Sequence, residues 1–179
     1  MEQIIFILGA PRCGKTTLTK KIIELTNSSY IILSLDAFSS MLRREFDDFN
    51  LYTEKVIIQP NVNVEKFINI IKGYVKAFVD DYPNQTIIIE GCQITPKQAT
   101  AFFPNSKIIC LGRTGDIVDI KNAIITKDWM AKLPQSEIEE YARKIHQLSV
   151  NYKNECKKTN YLYCETGQDV MSDVMEYLS

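Results

Sequence analysis

The 179-residue chain contains no apolar run near the ~20 residues that a membrane-spanning helix needs. Its 21 Lys and Arg almost cancel its 22 Asp and Glu, for a formal net charge of −1. No surplus of either sign points to nucleic acid or to a lipid surface, so any anion site must be local. The five cysteines, Cys13, Cys92, Cys110, Cys156 and Cys164, are odd in number and include no C-x-x-C pair. Neither a zinc site nor a disulfide framework is expected, and thiols lying mostly in apolar segments read as small hydrophobes. D-x-x-G and N-K-x-D are both missing, which leaves a regulatory GTPase without its motifs. No repeat, low-complexity tract or linker divides the chain. Residues 1–179 are expected to form a single domain with a sizeable core. The N-terminal apolar stretch runs into a glycine loop and not into a small-residue cleavage site, so a cytoplasmic protein is expected.

What is present is organised around Gly9-Ala10-Pro11-Arg12-Cys13-Gly14-Lys15-Thr16-Thr17. An apolar run, Gln3 to Leu8, precedes it, and a helical pattern, Thr17 to Leu25, follows it. The spacing G-x-x-x-x-G-K-[ST] between a strand and a helix is the phosphate-binding P-loop. Its glycines let backbone N–H groups curl around phosphates while the helix points its positive end at them. Lys15 would then reach the β- and γ-phosphates of a bound nucleotide, and Thr16 would ligate Mg²⁺.

Further along, Tyr30 to Leu35, Thr86 to Gly91, Lys107 to Gly112 and Tyr161 to Cys164 read as strands. Ala37 to Phe46 reads as a helix and Asp47 to Asn63 as loop. Val64, Phe67, Ile68, Ile71, Val75, Phe78 and Val79 repeat at threes and fours, predicting an amphipathic helix that stops before Pro83. Thr95 and Pro96 open a short helix as N-cap and first residue. Residues 114–133, around Trp129, form the least regular and most lid-like stretch. Ser136 and Glu139 suggest a capping box for a long helix whose stripe runs from Ile138 to Cys156, with His146 structural within it. A closing helix is predicted over Gln168 to Leu178. Five βα repeats imply an α/β three-layer P-loop fold. This is a five-stranded parallel sheet with helices on both faces, ligands at the strands' carboxyl ends, and a lid after strand four.

Four strand ends carry chemistry: the P-loop, Asp36, Glu90-Gly91 and Arg113. In an open sheet such ends share one crevice, and together they supply what phosphoryl transfer needs. Asp36 reads as general base to an acceptor hydroxyl or as a metal-linked carboxylate, with helix N-cap as the plain alternative. Glu90 reads as a magnesium-side acid or a contact to acceptor hydroxyls, against simple solvation at a strand end. Arg113 reads as an arginine finger in cis on the γ-phosphate, against an ordinary surface residue. Arg12 has solvent as its alternative. Arg43 or Arg44 either clamps an acceptor anion or lines a solvated helix face. Trp129 reads as an anchor for the lid stretch, with stacking on a base as the alternative.

With these residues the chain resembles the adenylate-kinase-like superfamily of P-loop nucleoside and nucleotide kinases. The loop is similar to the G-x-P-R-S-G-K-[ST]-T form of small bacterial kinases of this kind. Ser34 to Arg43 is similar to the segment that supplies an acceptor-phosphate arginine, which would place Arg43 on the acceptor within an acceptor region of about 36–80. Two features depart from the pattern: the acceptor segment carries extra residues between Ser34 and Met41, and no paired arginines mark the lid. Arg113 is followed by Thr114-Gly115 where paired lid arginines stand in adenylate kinase, and the cations of the 113–133 lid are Lys121, Lys127 and Lys132. The Glu90-Gly91-Cys92 end looks more like kinases acting on small phosphorylated or hydroxylated metabolites.

The resemblance implies a monomeric or homodimeric kinase that uses ATP and Mg²⁺ on a small-molecule acceptor: a nucleoside, a nucleotide or a similar metabolite. No nucleic-acid or membrane partner is expected. The competing readings are a P-loop nucleotide-binding protein without transfer activity and a toxin-type kinase acting on a sugar nucleotide.

Overall fold

A computed structural model describes residues 4–26, 28–46, 49, 62–126 and 129–179, the side chains of 62, 129 and 130 excepted. The strands are β1 (Ile4–Gly9), β2 (Tyr30–Ser34), β3 (Thr86–Gly91), β4 (Lys107–Gly112) and β5 (Leu162–Glu165). They form one five-stranded parallel sheet in the order β2-β3-β1-β4-β5, as the βα reading anticipated. The helices are α1 (Lys15–Thr26), α2 (Leu35–Glu45), α3 (Val62–Asp81), α4 (Pro96–Phe102), α5 (Ile117–Ile125), α6 (Gln135–Cys156) and α7 (Met171–Leu178). A 3₁₀ turn occupies Trp129–Lys132. Among the described residues no helix is long and apolar enough to cross a membrane.

The chain divides into two compact units. The first comprises Met1–Leu8 and Thr16–Ile108. In it β3 pairs with β1 (Ile4↔Ile87 to Leu8↔Gly91) and with β2 (Tyr30↔Thr86 to Ser34↔Glu90). Ile87, Ile88 and Ile89 are all fully buried, which is why β3 is continuously apolar and does not alternate. At the edge of the sheet, β2 leaves Ile31 and Ile32 exposed. The predicted α3 stripe is buried at Val64, Phe67, Ile68, Ile71, Val75 and Phe78, while Val79, also expected in it, is half-buried. Phe38 meets Phe67 and Tyr74, at centroid distances of 6.1 and 6.3 Å, and so ties α2 to α3. Such ring pairs contribute roughly 0.5–1.5 kcal/mol beyond their buried area. Thr95 and Pro96 open α4 as expected, and Gln98 completes a capping box with Thr95.

The second unit comprises Gly9–Lys15 and Ile109–Ser179. Here β4 pairs with β5 from Ile109↔Leu162 to Gly112↔Glu165, and α5 packs on α6. Ile138, Ala142, Ile145, Tyr152 and Cys156 form the buried face of α6, while His146 is half-buried.

Several local expectations are corrected. Ser34 caps α2, its hydroxyl accepting from the Ala37 amide, so the helix begins at Leu35 and Asp36 stands in its first turn, past the strand end. The α3 helix starts at Val62, inside the expected loop; residues 47, 48 and 50–61 of that loop lie outside the described residues. Residues 114–126 are more regular than their composition suggests. Asp116 accepts from the Val118 amide at 2.8 Å to cap α5, and Ile120 and Ile124, four apart, are buried. The Ser136–Glu139 capping box is absent. Pro134 occupies the cap position and starts α6 at Gln135, leaving Ser136 inside the first turn, and Glu139 pairs with Arg143 at 3.0 Å. The closing helix begins at Met171. The expectation for the Trp129 side chain lies outside the described residues.

Candidate functional site

In the second unit, the loop leaves β1 at Gly9, where a Cβ would collide with the Leu111 carbonyl oxygen. That oxygen instead accepts from the Ala10 amide at 3.3 Å. Arg12 (φ 63°) and Gly14 (φ 85°) both adopt the left-handed conformation, on either side of the fully buried Cys13. For Arg12 this conformation is uncommon and costs about 1 kcal/mol or more.

The loop's carbonyls are taken up by side-chain donors. Lys15 Nζ donates to Gly9 O (3.1 Å) and Ala10 O (3.0 Å), Arg113 Nε to Arg12 O (3.3 Å), and Thr166 Oγ1 to Cys13 O (2.8 Å). A phosphate cradle requires this, because a carbonyl aimed into it would repel the anion it is meant to hold. Lys15 stands within the loop, and Arg113 is fastened to it. Burial raises the Cys13 thiol above its ordinary range despite the opposing charge of Lys15, so it stays protonated and acts as a packing group.

Arg113 is fixed at its backbone as well. Its amide donates to Ser149 Oγ at 2.9 Å, and that hydroxyl donates to Ile145 O at 2.7 Å. Gly112 makes this possible, since a Cβ there would lie 2.8 Å from the Ser149 Cβ. The next residue, Thr114, donates its amide and its hydroxyl to Glu165, which also accepts from the Tyr163 hydroxyl (3.0 Å) and lies 3.5 Å from Lys153 Nζ. Burial works to raise the Glu165 pKa. The Thr114 donors, the Tyr163 hydroxyl and Lys153 outweigh it, and the carboxyl ends below its usual value.

In the first unit, Glu90 is 8% exposed at the end of β3. It accepts from Thr16 Oγ1 at 3.2 Å and from Thr19 Oγ1 at 3.3 Å. Thr16 and Thr17 are exposed at the start of α1, while Thr19 is buried. Among the described residues no group of three or more His, Cys, Asp or Glu could cage a metal. A hydroxyl beside one buried carboxylate is nonetheless a hard-oxygen donor set that fits Mg²⁺. That ion usually takes one or two protein oxygens and completes its shell with water and phosphate.

Asp36 is exposed on α2 and accepts a hydrogen bond from Gln93 Nε2. Ser40 and Arg43 follow it at four and seven residues on the same helix face, and the Arg43 guanidinium donates to Ser40 Oγ at 3.3 Å. Arg43 and Arg44 are both exposed.

Thr16 thus meets Glu90 in one unit, and Arg113 meets the loop in the other. Sequence reasoning missed Thr19, Gln93, Ser149, Glu165 and Thr166. Thr19 had a signal, standing three residues after Thr16 on one helical face. Gln93 had another, as a polar residue set between Cys92 and Ile94 just past a buried strand.

The parallel sheet and the glycine loop after its first strand define a P-loop α/β protein. A family profile described as an AAA domain matches residues 1–101, and the chain belongs to that family. No curated protein sequence matches it. Three solved structures are similar across 99% of this chain. A gluconokinase from Sinorhizobium meliloti 1021 has 10% identity and a TM-score of 0.59, with 89% of its own chain covered. A sugar kinase from Janibacter sp. HTCC2649 has 13% identity and a TM-score of 0.63, with 95% covered. A shikimate kinase from Acinetobacter baumannii, in complex with shikimate, has 13% identity and a TM-score of 0.57, with 91% covered. The expected likeness to the adenylate-kinase-like P-loop kinases therefore holds at the level of the fold.

Proposed function

We propose that the protein is an ATP- and Mg²⁺-dependent kinase that transfers the γ-phosphoryl group to a hydroxyl of a small metabolite. The observation that carries this reading lies within one unit, where β3 ends in a buried carboxylate bound to the P-loop threonine and an exposed carboxylate, Asp36, is held from the same strand end by Gln93. One acid serves the metal and the other the acceptor. Arg43, on the Asp36 face of α2, favours an acceptor that also carries a carboxylate or phosphate. The kinase folds of similar structure include enzymes named for gluconate, a sugar and shikimate, all hydroxylated small molecules.

In this reading the loop amides and Lys15 bind the ATP phosphates, and Thr16 and Glu90 would hold Mg²⁺, which would supply neutralising charge to the phosphates. The acceptor oxygen bonds to the γ-phosphorus as the bond to the β–γ bridging oxygen breaks. ADP leaves, and the acceptor's proton passes to Asp36. Arg113 offsets charge on the transferred group.

Family membership favours one other reading, an ATP hydrolase that needs no acceptor. The test is ADP release from ATP and Mg²⁺ over a panel of D-gluconate, shikimate, hexoses, nucleosides and nucleoside monophosphates. A hydroxylated acceptor stimulates release, and Lys15→Ala lowers the stimulated rate by about 10²–10³. Release that no acceptor stimulates supports the hydrolase, and a Lys15→Ala variant with unchanged turnover refutes both.

A further inference from the structure

We infer that Gln93, which no sequence motif marks, is the positioning residue that sets the catalytic orientation of Asp36; the inference rests on the kinase reading above. Gln93 is 1% exposed, and its amide has both ends committed. Oε1 accepts from the Cys92 amide at 3.0 Å, and Nε2 donates to Asp36 Oδ1. Turning the amide over would set its oxygen against the carboxylate and its NH₂ against a backbone N–H, so a single orientation satisfies both neighbours. That orientation depends on Gly91, since a Cβ at 91 would lie 2.5 Å from Gln93 Oε1 and 2.6 Å from the Leu35 Cβ.

The chain of cause is short. Gly91 leaves room for Leu35 at the start of α2 and for the folded-back Gln93, and Gln93 then grips the residue after Leu35. Asp36 is exposed at the first turn of α2, and an exposed Asp otherwise samples several rotamers. With Oδ1 held by a buried amide, Oδ2 is the oxygen presented to an acceptor hydroxyl. Holding a base in one geometry is worth a large factor in rate, because a misplaced group acts in only part of the bound population.

The test is a double-mutant cycle with Asp36→Asn and Gln93→Leu, measured with ATP, Mg²⁺ and whichever of D-gluconate, shikimate or the other panel compounds stimulates ADP release. Gln93→Leu is expected to lower kcat at least about tenfold with the KM for ATP unchanged. In the Asp36→Asn background it should lower kcat no further, because its effect passes through that carboxylate. Gln93→Glu keeps an acceptor for the Cys92 amide and replaces the donor with a carboxylate oxygen that repels Asp36, so it gives the same direction should the leucine variant fold poorly. A crystal structure of either variant, with no acceptor bound, should show Asp36 turned from its wild-type rotamer.

Full kcat and an unmoved Asp36 in the Gln93 variants overturn this inference alone when Asp36→Asn is crippled. Equal losses from Gln93→Leu in both backgrounds mark a merely structural residue. Full activity in Asp36→Asn removes the base itself, and the kinase role assigned to Asp36 falls with it.

Discussion

Thr16 Oγ1 donates to Glu90 Oε1 at 3.2 Å, binding the first turn of α1 to the carboxyl end of β3 inside one compact unit. A hydroxyl that gives its proton to a carboxylate keeps its lone pairs for a cation. In the proposed kinase Thr16 would ligate the metal and Glu90 would steady it, and Thr19 donates to the second carboxylate oxygen at 3.3 Å. Glu90→Gln is expected to raise the Mg²⁺ concentration for half-maximal ADP release by about 10–100-fold, the usual loss when a supporting partner of a metal ligand is removed. A magnesium titration of wild type and variant at saturating ATP checks this, and superimposable curves would remove Glu90 from the metal.

The glycines at 91 and 73 predict opposite outcomes for the same substitution. At Gly91 an added Cβ would press on Gln93 Oε1 and on the Leu35 side chain, whose Cδ1 is 3.0 Å away, in a fully buried surrounding. Overpacking of this kind destabilises by about 1–3 kcal/mol. Gly73 stands exposed within α3 and meets nothing within 4 Å, so alanine there only restricts the unfolded chain and adds about 0.4–1 kcal/mol. Urea unfolding of Gly91→Ala and Gly73→Ala should move the midpoint down and up respectively. A Gly91→Ala midpoint at or above wild type would show that β3 and α2 can separate at no cost.

These contrasts show what was legible in the sequence. Strand β3 and helix α3 were readable because burial on both faces, or along one stripe, leaves a periodic apolar record: Ile87 to Ile89 in one case, Val64 to Phe78 in the other. The P-loop was readable because its chemistry fixes both residue type and spacing. Glu165 was not, since its role comes from a partner 51 residues away, a separation that leaves no local pattern, and at Gln93 the sequence shows a polar residue between two apolar ones but not its partner Asp36, 57 residues away. The capping box at Ser136 misled for the converse reason. The local pattern was present, but Pro134 starts the helix early and puts the serine inside it.

Glu165 supplies a pH-dependent term in stability whose sign follows from its partners. Burial alone would raise its pKa, but the Thr114 amide and hydroxyl, the Tyr163 hydroxyl and Lys153 together bring it below the ordinary carboxylate value. The Tyr163 phenol is itself pushed far above its usual range, first by burial and then by the Glu165 charge, so it remains a donor at every working pH. The folded protein therefore holds the Glu165 proton more weakly than the unfolded chain does. The stabilisation is fully present above the unfolded carboxylate pKa and is lost as the pH falls through that value to the lowered one, from about pH 5 downward. Glu165→Gln should be less stable than wild type at pH 7, and the gap should narrow as the pH falls below about 5. Chemical denaturation of both proteins across that range measures it, and a gap that stays constant would mean the carboxylate charge contributes nothing. The same network holds the Thr114 backbone beside Arg113, and the neighbouring Thr166 donates to the Cys13 carbonyl of the P-loop. Phosphate affinity, followed with a fluorescent ATP analogue, should accordingly weaken in Glu165→Gln at pH 7.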